Sequence, residues 1–195
     1  MHQLLLASAS PRRAELLNRA GIRFTQVVSY GDEGTVQNLP PVVLALERAR
    51  VKARGAELAG DAAGSGLVLG ADTVVWYRGA TYGKPRDDAD AVRILTALSG
   101  TRHWVSTAQV LWDPRRNAET IALAEAQVQL LPLSSAEIEA YVATGEPRGK
   151  AGAFALQGQG RHLVKRVWGD DDAVVGLSVA GLRAQWGRIS LHPVP

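Results

Sequence analysis

Ser8, Ser10, Arg12 and Arg13 crowd together directly after the apolar run Leu4-Leu5-Leu6-Ala7. A buried strand that ends at a Ser-Ala-Ser turn and runs into a helix brings unpaired backbone N–H groups and two guanidinium forks to one helix start. Ser10 stands where a cap belongs, and Pro11 takes the first helical position, where its missing N–H costs nothing. Two cations at the positive end of the helix dipole are locally unfavourable, and Arg13 occupies the place where a capping box would put Glu. A bound anion removes that penalty, because strand–turn–helix starts bind phosphate and Arg matches its oxygens. The plainer alternative is a pair of solvated arginines.

Asp72 interrupts the apolar strand signal Leu67–Tyr77. Burying a carboxylate without partners is expensive, so it is either satisfied by neighbouring groups or serves a metal or a water. Thr73 beside it points to the opposite face of a straight strand. Lys84 in Gly83-Lys84-Pro85, Lys52 among the arginines of a helix, and Glu33 on a turn each read locally as solvated surface groups. Gly145–Gly160 holds five glycines, which permit close backbone approach to a ligand, yet Ala153-Phe154-Ala155-Leu156 within it reads as buried. Neither a P-loop nor a Ser-x-x-Lys or Gly-x-Ser-x-Gly nucleophile signature occurs, so attack by an activated water is favoured over a covalent route.

The elements that must position these residues follow from periodicity. Strands are predicted at the N-terminal apolar run, Phe24–Ser29, Leu67–Tyr77, Trp104–Trp112, Thr120–Leu131 and His162–Trp168, and a short last one near the end of the chain. Helices are predicted over residues 11–20, stopping at Gly21, from Pro40 and Pro41 to about Ala59, from Asp87 to Leu98, from Ser134 or Ser135 to about Ala143, and over Val174–Trp186. Ala59–Gly66 reads as a loop. Helices and strands intermix throughout, giving an α/β class with a mixed sheet.

With 195 residues, 46% of them hydrophobic, the chain can fill one core, with room for two lobes. The 22 Lys and Arg against 19 Asp and Glu leave a net charge of +3, enough to suit a phosphorylated substrate but too little to argue for duplex nucleic acid. The arginines form no stripe interleaved with the five tryptophans, so no nucleic-acid partner is expected. No cysteine is present, which removes disulfides, thiolate zinc sites and cysteine nucleophiles. His2, His103, His162 and His192 lack metal-ligand spacing. The short apolar N-terminus has no leading basic segment, and no run approaches the roughly 18 apolar residues of a membrane span.

Ser8-x-Ser10-x-Arg12-Arg13, Gly70-Ala71-Asp72-Thr73, Gly83-Lys84-Pro85, Ser99-Gly100 with His103, and Lys150-Ala151-Gly152 through Gln157-Gly158 occur in this order. Together they resemble the Maf family of nucleoside triphosphate pyrophosphatases over nearly the whole chain. The resemblance implies a single Maf-like domain over 1–195. Its fold would be α/β and ITPase-like, with a mixed, elongated twisted sheet flanked by helices and two lobes around a central cleft. It implies a cytoplasmic house-cleaning enzyme, often a homodimer, that uses Mg²⁺ or Mn²⁺ to cleave between the α- and β-phosphates. By family position Asp72 is the catalytic acid–base residue, and Arg12, Thr73 and Gln157 select the substrate. Glu33, Lys52 and Lys84 correspond to other cleft residues. Ser8, Ser10, Arg13 and Lys150 complete the substrate-binding set, and Glu33 with Asp72 is the candidate metal pair.

An amide at Gln157 complements the N3–H and carbonyl edge of uracil or thymine, whereas a carboxylate would suit a guanine edge. The Lys-Ala-Gly to Gln-Gly form resembles the dTTP/UTP branch of the family, while the 7-methyl-GTP branch carries Glu at that place. The competing expectations are the 7-methyl-GTP branch and a binding protein acting on cell division through a partner. Three features depart from the family pattern: Gly149 stands where Asp is usual, Ser178 where Pro is usual, and the 30s loop carrying Glu33 aligns loosely.

Overall fold

Parallel pairing begins at the N-terminus, where strand β1 (Gln3–Ala7) lies between β2 (Thr25–Val27) and β3 (Gly66–Tyr77), with Leu5 opposite both Thr25 and Val68. The computed structural model describes residues 3–58 and 66–190. The remaining strands are β4 (Ala80–Tyr82), β5 (Arg102–Asp113), β6 (Ala118–Leu130) and β7 (Val164–Gly169). They form one seven-stranded sheet in the order β2-β1-β3-β5-β6-β7, with β4 paired to β3. The β3–β4 and β6–β7 pairs are antiparallel, so the sheet is mixed, as the intermixed elements predict. The helices are α1 (Pro11–Arg19), α2 (Pro41–Arg54), α3 (Asp88–Leu98), α4 (Ser135–Ala143), α5 (Asp171–Val175) and α6 (Val179–Ser190). Among the described residues, no helix is long and apolar enough to cross a membrane.

The chain divides into two compact units. The first takes the chain up to Asp72, then Thr107–Ala124 and the part from Gly176 onward. Its β1 is buried from Leu4 to Ala7, as are Leu16 and Leu17 of α1, Ala45, Ala49 and Ala53 of α2, and Leu182 and Ile189 of α6. A polar network is buried with them: the Gln109 side chain accepts a hydrogen bond from the Ser178 N–H and donates to Gln185 Oε1, while Gln185 Nε2 donates to the Gln109 and Thr120 carbonyls. Ser178 also caps α6 through its Oγ, 3.1 Å from the Gly181 N–H. A proline at 178, the usual family residue, would have no N–H to give Gln109.

The second unit holds Thr73–Ser106 and Glu125–Val175. Its core packs Val75, Val105, Val128 and Leu130 of the sheet with Ile94, Leu95 and Leu98 of α3, Ile138 and Tyr141 of α4, and Phe154 and Leu163. Both helices start as their sequences direct. The Asp87 carboxylate accepts from the Asp90 N–H, and Ser134 forms a full capping box with Glu137.

Three predicted elements change most. Helix α2 ends at Arg54, well short of Ala59, because Gly55 turns the chain so that Ala56 bridges Ser29 and the Tyr30 N–H reaches the Gly55 carbonyl. Strand β7 starts at Val164 because Gly158–Leu163 winds into a 3-10 turn. The single helix predicted over Val174–Trp186 is two, α5 and α6, parted at Gly176, whose φ of 127° is left-handed. The predicted Ala59–Gly66 loop falls outside the described residues except for Gly66, which begins β3, and the predicted last strand lies beyond them.

Candidate active site

The first group of polar residues belongs to the first unit and depends on a glycine. A Cβ on Gly70 of β3 would lie 2.3 Å from the Ala49 carbonyl oxygen and 2.6 Å from the Ala53 nitrogen, so only glycine lets the α2 backbone come this close. Asp72 lies two residues further along the same face of β3, and Lys52 is the neighbour of Ala53. The Lys52 ammonium accordingly meets the Asp72 carboxylate, with Nζ 2.6 Å from Oδ1. The carboxylate is thus a paired group, which explains how an apolar strand tolerates it.

Glu33 reaches the same ammonium, Oε2 lying 2.5 Å from Nζ. Its loop sits on the end of α2 through glycine. A Cβ on Gly31 would fall 2.2 Å from the Val51 carbonyl oxygen, and Ser29 Oγ donates to the Lys52 carbonyl at 2.8 Å. Asp32 then caps the 3-10 turn Glu33–Thr35. The local sequence suggests a solvated turn acid at Glu33, but tertiary packing makes it the second partner of Lys52.

The start of α1 completes this group. Ser10 occupies the cap position as predicted and Pro11 follows, yet the Ser10 side chain makes no cap bond. Instead the Ser10 N–H donates to Ser8 Oγ at 3.2 Å, and Arg13 Nη1 donates to the same oxygen at 2.8 Å. Arg13 is buried, and its Nε donates to the Gly176 carbonyl at 2.8 Å. Burial pulls the Arg13 guanidinium below its ordinary pKa, and repulsion from Arg12 adds to this; attraction to Asp72 and Glu33 opposes both. Arg13 therefore ties the Ser8 turn to the Gly176 break while sharing a field with the Lys52 cluster. Arg12, half-buried, is the other cation at the helix start.

The second group belongs to the second unit. Thr73 is half-buried on β3, and Lys84 is exposed on the loop after β4. The Gly152 N–H donates to the Gly83 carbonyl at 3.1 Å, joining the Lys84 loop to the Lys150-Ala151-Gly152 turn. Lys150 Nζ donates to the Glu146 carbonyl. Gln157 is exposed at the start of the 3-10 turn Gly158–Leu163. His103, from the Ser99-Gly100 motif, is buried edge-on to Phe154 with ring centroids 5.4 Å apart, and burial lowers its pKa to about 4. Thr101 Oγ1 donates to the Leu98 carbonyl, so the contact between that oxygen and His103 Nδ1 assigns the ring proton to Nδ1. Nε2 then faces the core with no partner among the described residues. His103 is a neutral core residue and not a ligand.

Glu33 and Asp72 turn two hard oxygen donors toward one position that a cation already holds. Among the described residues, no group of three or more His, Asp or Glu side chains could hold a metal. Mg²⁺ is commonly bound by one or two carboxylates with substrate phosphates and water supplying the rest. The two carboxylates match the donor chemistry of a cation that arrives chelated by phosphate, not an all-protein cage, and the point on which both converge is held by Lys52 Nζ.

Two contributors carry no sequence signal of their own: the Gly176 carbonyl and the Glu146 carbonyl. The sequence profile described as Maf-like protein matches residues 3–187. The dTTP/UTP pyrophosphatase of Moorella thermoacetica is 43% identical over 201 residues, spanning 97% of this chain and 100% of that protein. The protein of the same name from Anaeromyxobacter sp. (strain Fw109-5) is 44% identical across 99% of this chain and 92% of its own length. That of Geobacter sulfurreducens is 43% identical over 96% of both.

Proposed function

The chain belongs to the Maf family, and from that premise we propose that it is a nucleoside triphosphate pyrophosphatase hydrolysing dTTP and UTP to the nucleoside monophosphate and pyrophosphate. The observation that carries the reading is the Asp72 carboxylate held on a buried strand by Lys52, with Glu33 on the same ammonium. The names of the full-length relatives supply the substrate class.

In this reading water attacks the α-phosphorus. A new P–O bond forms, the bond to the oxygen bridging the α- and β-phosphates breaks, and pyrophosphate leaves with the electron pair. Such a reaction asks for positioning and charge neutralisation more than for covalent chemistry. Arg12 and Lys84 supply positive charge for the triphosphate, and Lys52 sets the orientation of Asp72. The Asp72 carboxylate takes the proton of the attacking water, or with Glu33 it would hold Mg²⁺ or Mn²⁺. When bound, the cation would neutralise phosphate charge. Ser8 and Ser10 shape the turn at the start of α1, and Arg13 holds that turn to Gly176. Thr73 and the Gln157 amide read the base, with Lys150 supporting the loop. The same reading takes residues 1–195 as one functional domain of a cytoplasmic enzyme that acts as a homodimer.

The test is pyrophosphate release from a panel of nucleoside triphosphates with Mg²⁺ or Mn²⁺, comparing the wild type with Asp72→Asn. Release from dTTP and UTP that disappears in the variant supports the proposal. Activity centred on 7-methyl-GTP would keep the reaction and overturn the pyrimidine assignment. No release from any nucleotide would overturn the reaction itself.

A further inference from the structure

We propose that Glu146 is a positioning residue for base selection: its carboxylate caps the turn that follows Gln157, leaving the Gln157 amide for the base. The inference rests on the pyrimidine reading of Gln157 given above. Gln157 occupies the cap position of the 3-10 turn Gly158–Leu163, with extended backbone at φ −108° and ψ 157°. A short polar side chain at that position ordinarily accepts from the N–H two or three residues ahead. Gln157 makes no such bond. The N–H three residues ahead, that of buried Gly160, donates instead to Glu146 Oε2 at 3.1 Å. An acceptor from eleven residues earlier does the work that the cap side chain would do.

The loop is built to admit this carboxylate. Gly158 has a left-handed φ of 74°, and a Cβ there would lie 2.3 Å from Glu146 Oε1. Any side chain at 158 would displace the acid. On the other side of the clamp, a Cβ on Gly160 would come within 2.6 Å of both the Ala155 carbonyl oxygen and Tyr141 Oη, so this glycine is wedged against α4 and the loop's own backbone. Glu146 is itself pinned at both backbone groups, its N–H donating to Thr144 Oγ1 at 3.1 Å and its carbonyl accepting from Lys150 Nζ. This gives the Lys-Ala-Gly lysine a structural task in the same device. Gln157 thus stands between buried Ala155 on one side and a clamped Gly158–Gly160 on the other.

The chemical consequence concerns both ends of an amide. Reading the N3–H and carbonyl edge of uracil or thymine takes the amide's acceptor oxygen and its NH₂ donor together. If Gln157 capped its own turn, its oxygen would be turned onto the Gly160 N–H and the amide held away from the base edge. Glu146 removes the competition.

The test compares wild type, Glu146→Ala and Glu146→Gln, with Gln157→Glu as the control for base selection. Glu146→Ala is expected to raise KM for dTTP and UTP by about tenfold, the size a lost cap or charge-assisted bond produces, with kcat within about twofold. Its preference for dTTP over GTP should fall toward that of Gln157→Glu. Glu146→Gln retains an acceptor oxygen and should stay within about threefold of wild type in KM. Amide hydrogen exchange at Gly160 gives a readout independent of turnover and should quicken in the alanine variant only. Wild-type KM and preference in Glu146→Ala, equal losses in both variants, or unchanged Gly160 exchange would each overturn the proposal. A wild-type enzyme with no pyrimidine preference would show that the Gln157 reading has failed, and the base-selection role of Glu146 with it. The exchange rates would then still report whether Glu146 caps the turn.

Discussion

Lys52→Met removes the charge on which Asp72 and Glu33 converge and keeps most of the apolar stem. The Lys52 and Asp72 side chains are only 13% and 10% exposed, so their attraction is poorly screened. Two unit charges 4 Å apart attract by about 4 kcal/mol at an effective dielectric of about 20. Deleting one member of a buried pair costs about 3–5 kcal/mol because the other charge is left uncompensated. Glu33, at 39% exposure, is largely screened and adds less than about 1 kcal/mol. We therefore expect Lys52→Met to cost about 3 kcal/mol, a drop in Tm of roughly 6–12 °C for a chain of this size. The assay is urea and thermal unfolding of Lys52→Met, Asp72→Asn and the double variant without nucleotide. The double variant should be more stable than the sum of the two singles by about 2 kcal/mol. Pyrophosphate release by Lys52→Met should fall by about 10²–10³-fold in kcat/KM, as when a preorganised charge partner is lost. Stability losses that add within about 0.5 kcal/mol would refute the pairing argument, and near-normal release would refute the role given to Lys52.

Two further outcomes follow from burial. The fold holds His103 neutral with a pKa of about 4, whereas the unfolded chain binds that proton near pH 6.5, so stability falls as pH drops from about 6.5 toward 4, by about 1.4 kcal/mol per unit at most. Urea midpoints at pH 7, 5.5 and 4.5 should show this decline, and His103→Phe should flatten it; an equal slope in that variant would assign the effect elsewhere. Gly70→Ala drives a methyl group into the α2 backbone, where overpacking costs about 1–3 kcal/mol and must shift Lys52 away from Asp72. Unfolding and pyrophosphate release measured together should both suffer, and a stable, fully active Gly70→Ala would show that the close approach of α2 does not position the site.

What the sequence determined by itself is local in origin. Helix starts at Pro11, Asp87 and Ser134 were legible because caps and prolines act over three or four residues, and the strand around Asp72 because apolar runs are contiguous. The order of the five motifs carried the family. Features set by distant backbone approach had no such signature. Nothing near Glu33 says that Gly31 lets its loop settle on Val51, and nothing near Asp72 says that Gly70 brings Lys52 within 2.6 Å. The α2 end at Arg54 and the break at Gly176 were missed for the same reason: residues far away in sequence satisfy the backbone there. Arg13 shows the division most clearly. Its type and place at a helix start were visible, but only the fold turns its guanidinium inward, where burial makes acceptors necessary and Ser8 Oγ and the Gly176 carbonyl supply them.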